Sequence, residues 1–314
     1  MLTGQAPEQE HDRPRAAPAA HVPPDSVLVT GECVDGRWRL ERCLASGADD
    51  ALWLARDERL DREVALRFVG AHMLADEDDR ALVAREAALL ARVEHQNVVC
   101  LFDILEDATG LYFVTEYVEG RSLQELCDHP TRCPDQVVAA VGLQLARGLR
   151  AVHEQNVIHH DLRSDNVRIL PNGVVKLLNF GSATGYTSAD RTTSAMDPAA
   201  YLAPEQFEGA RVDHRVDLYS LGLLLWELSA GVRPFPEHST AATVQTRLIA
   251  EPATLKSVHR RVSTRLSAVI ERATRRWPEQ RWQSAAELEE ALTNLCGHRP
   301  ELLVQAHLAK TGLA

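Results

Sequence analysis

The densest chemistry in this 314-residue chain lies between Val157 and Gly181, in the run VIHHDLRSDNVRILPNGVVKLLNFG. Asp161 closes a His-His-Asp turn, Asn166 follows it by five residues, and Asn179-Phe180-Gly181 ends the run. One loop carrying a carboxylate and an amide at that spacing can aim both at a single point. The loop needs a rigid frame to do so. Two short apolar segments, Val167 to Leu170 and Val174 to Leu178, read as strands that would hold it still.

The elements before this run carry the same two periodicities. Residues 38–69 alternate apolar and polar, break in a turn at Ser46 to Asp50, and alternate again. That pattern predicts a hairpin followed by a third strand. Residues 77–93, EDDRALVAREAALLARV, place apolar residues at helical spacing. A strand pair at Val98 to Leu105 and Leu111 to Val118 is split by the turn EDATG. Helices are then expected at about 121–128 and 134–155, and a long apolar helix is expected from Asp217.

Composition narrows the function classes. With 45% hydrophobic and 25% charged residues the chain can bury a sizeable core. A formal charge of −11 argues against nucleic-acid binding, which wants a basic surface. No apolar run approaches the roughly 18 residues of a membrane span, and no signal-peptide core opens the chain. The six cysteines are scattered without a Cys-x-x-Cys pair, which points to a reduced, cytoplasmic chain without structural disulfides or zinc. Residues 1–27, rich in Ala and Pro, lack an apolar period and read as a disordered leader, dispensable or a docking arm. Residues 298–314 read as a C-terminal tail.

From about residue 36 to 297 the chain resembles the bacterial serine/threonine protein kinases. The resemblance rests on the spacing of Asp161, Asn166 and Asn179-Phe180-Gly181, on Ala203-Pro204-Glu205, and on Asp217 and Arg281 in order. It implies an α+β, two-lobed fold. A strand-rich small lobe (about 36–116) would be joined by a hinge to a helical large lobe (about 121–297). It also implies ATP and Mg²⁺ as cofactors and a protein substrate or partner. In family terms Asp161 stands at the catalytic base, Arg163 at the loop lysine, and Asn166 and Asn179 at the metal ligands. Val64-Ala65-Leu66-Arg67 stands at the Val-Ala-x-Lys strand, and Glu86 at the glutamate that pairs with its lysine. Gly47 lies in the phosphate-covering turn. Thr115 matches the gatekeeper, and Glu116 and Val118 the adenine-facing hinge. His153, His159, His160 and Asp161 could form a metal cluster, but the resemblance favours His159 in the core and His160 half exposed.

Several positions depart from the family pattern, and they fall on one site. The glycine turn reads Ala45, Gly47 and Asp50, with Asp49 and Asp50 placing negative charge where phosphates would lie. Arginine replaces lysine at Arg67, a substitution that is not conservative at a buried site. An Arg67–Glu86 pair is expected. Arg168 stands where an aliphatic residue would floor the adenine. Asn179 replaces the magnesium carboxylate, and Pro198 the threonine whose hydroxyl contacts the base. The residues that hold the fold persist, while those that do the chemistry have changed. The expectation is therefore a pseudokinase, a regulatory or scaffolding module in signalling that binds ATP weakly or without metal. An active serine/threonine kinase with a rearranged site is the alternative, and another nucleotide-transfer chemistry in the same cleft is a third.

Overall fold

A computed structural model describes residues 28–46, 50–71, 83, 87–179, 198–207, 212–235 and 250–313. Its small lobe is a six-stranded antiparallel sheet of β1 (Cys33–Val34), β2 (Trp38–Ser46), β3 (Asp50–Asp57), β4 (Arg62–Gly70), β5 (Leu101–Glu106) and β6 (Gly110–Glu116). The spatial order is β1-β2-β3-β4-β6-β5. The alternation in the sequence becomes two buried faces. On one, Trp38, Leu40, Trp53, Val64, Leu66 and Val114 pack together with Leu28. The other, through Leu90, Val99, Leu101 and Phe113, is continuous with the core of the large lobe. Leu28 is buried and β1 joins the sheet, so the packed unit includes residue 28, ahead of the bound near 36 that the resemblance placed.

The chain crosses to the large lobe through β7 (Arg121–Ser122) and α1 (Leu123–Cys127). A capping box starts α1: Ser122 Oγ accepts from the Glu125 N–H, and the Glu125 carboxylate accepts from the Ser122 N–H. The helix α2 (Asp135–His153) buries residues on nearly every side and runs through the lobe. Beside it lie the short strands β8 (Val167–Ile169) and β9 (Val175–Leu177), which pair with β7 in the order β7-β8-β9. Next come α3 (Pro204–Phe207) and the apolar α4 (Arg215–Ala230), which ends on Gly231 at φ 67°, a left-handed C-cap. Among the described residues there follow α5 (Leu255–Val258), α6 (Thr264–Ala273), α7 (Ala285–Cys296) and α8 (Pro300–Thr311).

The segment read from sequence as a tail after residue 297 is α8, docked against α2. It buries Val304, His307 and Leu308. Its contact with the β8–β9 turn is close. Gly173 sits at φ +83°, and a Cβ there would lie 2.1 Å from the Glu301 carbonyl oxygen. Only glycine permits that approach. The expected helix over 77–93 is described only in part, with residues 87–90 helical and Val83, Ala87, Leu90 and Val93 buried. The leader 1–27 lies outside the described residues. Among the described residues no helix is long and apolar enough to cross a membrane.

Candidate functional site

Asp217, in the first turn of α4, is the anchor on which the site is hung. Its buried carboxylate accepts from the backbone N–H groups of His159 (2.8 Å) and His160 (2.9 Å), and from His153 Nε2–H (2.8 Å). Burial raises its pKa, but the His153 hydrogen bond and the nearby His153, His159 and His160 more than offset this and hold it at about 2. The clamp fixes a strained turn, because His160 sits at φ 63°, a left-handed conformation that bulky residues avoid. His159 is fully buried and uses both ring nitrogens. Nε2–H donates to the Leu178 carbonyl (2.9 Å), and Nδ1 accepts from the Asp161 N–H (3.3 Å). It is thus a packing residue that ties the loop to the end of β9, and His160 is half-buried. Burial lowers the His160 pKa. No cluster of His, Cys, Asp and Glu fit to hold a metal is present among the described residues.

Held this way, Asp161, Asn166 and Asn179 come together. Asn166 Nδ2 donates to the Asp161 carbonyl (2.8 Å) and to Asp161 Oδ2 (3.0 Å). Asn179, itself at φ 60°, donates from Nδ2 to Asn166 Oδ1 (2.7 Å). The result is one chain of hydrogen bonds, Asn179 to Asn166 to Asp161, on the wall of a cleft of about 650 Å³. Asn166 also lends its carbonyl to the Leu178 N–H (2.9 Å), so the chain is braced by the β8–β9 frame. Phe180, Gly181 and Asp197 lie outside the described residues, and Pro198 opens a short 3-10 turn ending at Tyr201.

Arg163 lines the same cleft and is almost wholly buried. Nη2 donates to Asp165 (3.3 Å), whereas Nε and Nη1 are buried with no hydrogen-bond partner. Arg67 comes from β4 on the opposite wall. Glu86 and Gly47 lie outside the described residues, and with Glu86 the expected Arg67–Glu86 pair. The Arg67 guanidinium donates to Asp50, from Nη2 at 2.8 Å and Nε at 3.5 Å, and the register explains why. Arg67 pairs directly with Leu52, so Asp50, two residues away on the same strand, shares its face and lies on the diagonal. Arg67 is also nearly buried, and its Nη1 has no partner.

The cleft continues into a small apolar pocket of about 90 Å³ between the lobes. Leu44, Ala65, Val99, Phe113, Thr115, Glu116 and Val118 are among the residues that line it. Glu116 is occupied structurally: its carboxylate accepts from Lys176 Nζ (2.8 Å) and the Cys100 N–H (3.4 Å), which ties the hinge to β9. Arg168 is where the two cavities meet. Val167 and Ile169 turn into the core, so strand alternation sends Arg168 the other way, and it lines both cavities, as Arg67 does. Across the β8–β9 pair Arg168 lies opposite Lys176.

The fold and these motifs can be compared with known proteins. The family model described as "Protein kinase domain" matches residues 38–294. This chain belongs to the protein kinase family. It is 31% identical over 280 residues to the serine/threonine-protein kinase PknB of Mycobacterium leprae, covering 87% of this chain and 45% of that one. To PknL of Mycobacterium tuberculosis it is 32% identical over 254 residues, covering 80% and 64%. A probable serine/threonine-protein kinase of Clostridium perfringens is 32% identical over 263 residues, covering 83% of this chain and 38% of the relative. The chain therefore spans about a third to two-thirds of these relatives' length. Among solved structures, the Mycobacterium tuberculosis PknI kinase domain matches with a TM-score of 0.69 and 26% identity, covering 87% of this chain and all of that one. The bacterial serine/threonine resemblance and the two-lobed α+β fold read from the sequence are thus established.

The pairings were harder to see. The Arg67–Asp50 bond and the Asp217 hub join residues between 17 and 64 positions apart. Strand alternation could have indicated the first. For the second, the only signal was an acidic residue entering an apolar helix.

Proposed function

We propose that this kinase-family chain is a pseudokinase that acts through protein contacts as a regulatory or scaffolding module in signalling. The observation that carries this reading is the hydrogen bond from Asn179 Nδ2 to Asn166 Oδ1. Kinase-family chemistry uses ATP with Mg²⁺ held by a carboxylate and an amide oxygen at these two positions. Here both side chains are neutral amides, and an N–H points at the oxygen that would face the ion. Mg²⁺ demands oxygen ligands and favours carboxylates, so this donor set does not fit it. Arg67, at the position of the cation that grips phosphate, is already neutralised by Asp50. The metal and the phosphate grip are thus both weakened in one place.

The active-kinase alternative has one observation in its favour. Asp161 and Arg163 both line the cleft, so a proton acceptor and a cation remain where the family has them. Phosphate transfer from radiolabelled Mg·ATP to the chain itself and to a generic protein substrate separates the two. The pseudokinase reading expects no incorporation above the Asp161→Ala background. It also expects millimolar Mg·ATP to raise Tm by much less than the several degrees given by a ligand at about a hundredfold its Kd. The double variant Arg67→Lys with Asn179→Asp should stay inactive, because Arg168 still lines the cleft and Pro198 still supplies no threonine hydroxyl. Transfer that is abolished by Asp161→Ala, or robust activity in the double variant, would establish the active-kinase reading instead.

A further inference from the structure

We propose that the cleft binds a polyphosphate chain without a divalent metal, and that Arg168 receives an anionic group where the family would stack a base. This rests on the reading of the cleft as unfit for Mg·ATP. Arg67, Arg163, Arg168 and Arg233 line the cleft, and the first three have guanidinium donors without a partner among the described residues. Arg163 is 7% exposed, with Nε and Nη1 unpartnered; Arg67 is 8% exposed, with Nη1 unpartnered. The Arg168 guanidinium makes no hydrogen bond or ion pair among the described residues. Buried N–H donors without acceptors are costly, and a charged acceptor relieves the cost best.

Arg168 also faces a like charge. It lies directly across the β8–β9 pair from Lys176, an arrangement that is destabilising unless a negative charge sits nearby. The Glu116 carboxylate, which lines the pocket with Arg168, is already bonded to Lys176 at 2.8 Å. An anion at Arg168 would relieve that repulsion, whereas a stacked base would not.

The placement of the three cations argues for an elongated ligand. Arg163 stands by Asp161 at the loop end of the cleft, while Arg67 and Arg168 stand at the waist, each lining both the cleft and the apolar pocket. A single phosphate reaches one end; a chain of phosphates reaches both. Without a metal to bridge the phosphate oxygens, the arginines alone neutralise them, and Arg forks suit phosphate geometry. Asp50, Asp128, Asp161, Asp165 and Glu227 also line the cleft and oppose the ligand, and Asp50 competes with it directly for Arg67.

The test is calorimetric titration of inorganic tripolyphosphate into the full chain in EDTA. Saturable binding is expected, weakening as salt is added. Arg168→Leu should lose about tenfold in affinity or more, the equivalent of one charge-assisted hydrogen bond. Arg168→Gln, which keeps a polar side chain, should also lose affinity, and circular dichroism should show both variants folded. Asp50→Asn should bind about threefold tighter. ATP in EDTA should bind like tripolyphosphate, and adenosine should not compete. No binding in EDTA, binding that requires Mg²⁺, unchanged affinity in folded Arg168 variants, or ATP binding over tenfold tighter than tripolyphosphate would overturn the proposal. Phosphoryl transfer from Mg·ATP would instead defeat the pseudokinase reading. Silence in both assays defeats this inference alone.

Discussion

Removing Glu205 tests whether α3 is locked to the C-terminal helices by a buried charge. Glu205 lies in α3 and is 9% exposed; Arg281 lies before α7 and is fully buried. The pair is bidentate, with Nη1 and Nη2 each 2.7 Å from a carboxylate oxygen. Arg281 also donates to the backbone carbonyls of Arg275 (2.7 Å), Arg276 (2.7 Å) and Arg215 (3.3 Å), and it lies over the Tyr219 ring. Breaking a buried pair by deleting one partner costs about 3–5 kcal/mol, because the other charge stays behind. In Glu205→Ala the stranded guanidinium keeps its three carbonyls, which places the cost at the low end, about 3 kcal/mol. In Arg281→Ala the stranded carboxylate loses both hydrogen bonds and keeps the more distant charge of Arg215, while three carbonyls lose a donor, so the cost should reach about 5 kcal/mol. For a large domain each kcal/mol lowers Tm by roughly 2–4 °C. Glu205→Ala should then melt at least about 6 °C below the native chain, and Arg281→Ala lower still. Differential scanning calorimetry reads both. A Glu205→Ala protein melting within a degree of native, or an order in which Glu205→Ala is the worse of the two, would refute the reasoning.

Two further outcomes follow from buried contacts. Asp217 has its folded pKa depressed to about 2, so the stability it contributes is present above the unfolded carboxylate value near 4 and is lost as pH falls through about 2. The contribution is on the order of 2 kcal/mol, and denaturant titrations between pH 6 and 2 should show Asp217→Asn with a flatter acid limb than native; equal slopes would discount the hub. Gly173→Ala should lose at least about 1 kcal/mol, from the positive φ and the clash with Glu301, and should release α8 to proteolysis. A variant as stable and as resistant as native would mean that the turn and helix are not coupled.

The small-lobe hairpin, the strand pair before the hinge, α2 and α4 could all be read from periodicity, because burial of one face leaves a local record in residue type. The motifs located the site equally well: Asp161, Asn166 and Asn179 have types and spacings that one loop and one hairpin can hold. Other features left no such record. α8 read as a tail because its apolar residues follow no clear helical stripe; what makes it part of the lobe is the shape of α2 and of the turn at Gly173. The Arg67–Asp50 bond left no local record either, because it joins neighbouring strands of the sheet.

By itself, then, the sequence determined the family, the order of the elements, and which residue types stand at each chemical position, including the neutral Asn179 and the cationic Arg168. It could do so because side-chain type and local spacing are properties of the chain. Only the tertiary structure decided what those groups do with one another: that Asn179 turns its N–H to Asn166, that Asp50 occupies Arg67, and that Arg67 and Arg163 keep buried donors without a partner among the described residues in one cleft. Hydrogen bonds and ion pairs act over a few ångströms between residues distant in the chain. Whether a charge finds its partner depends on which surfaces the fold brings into contact.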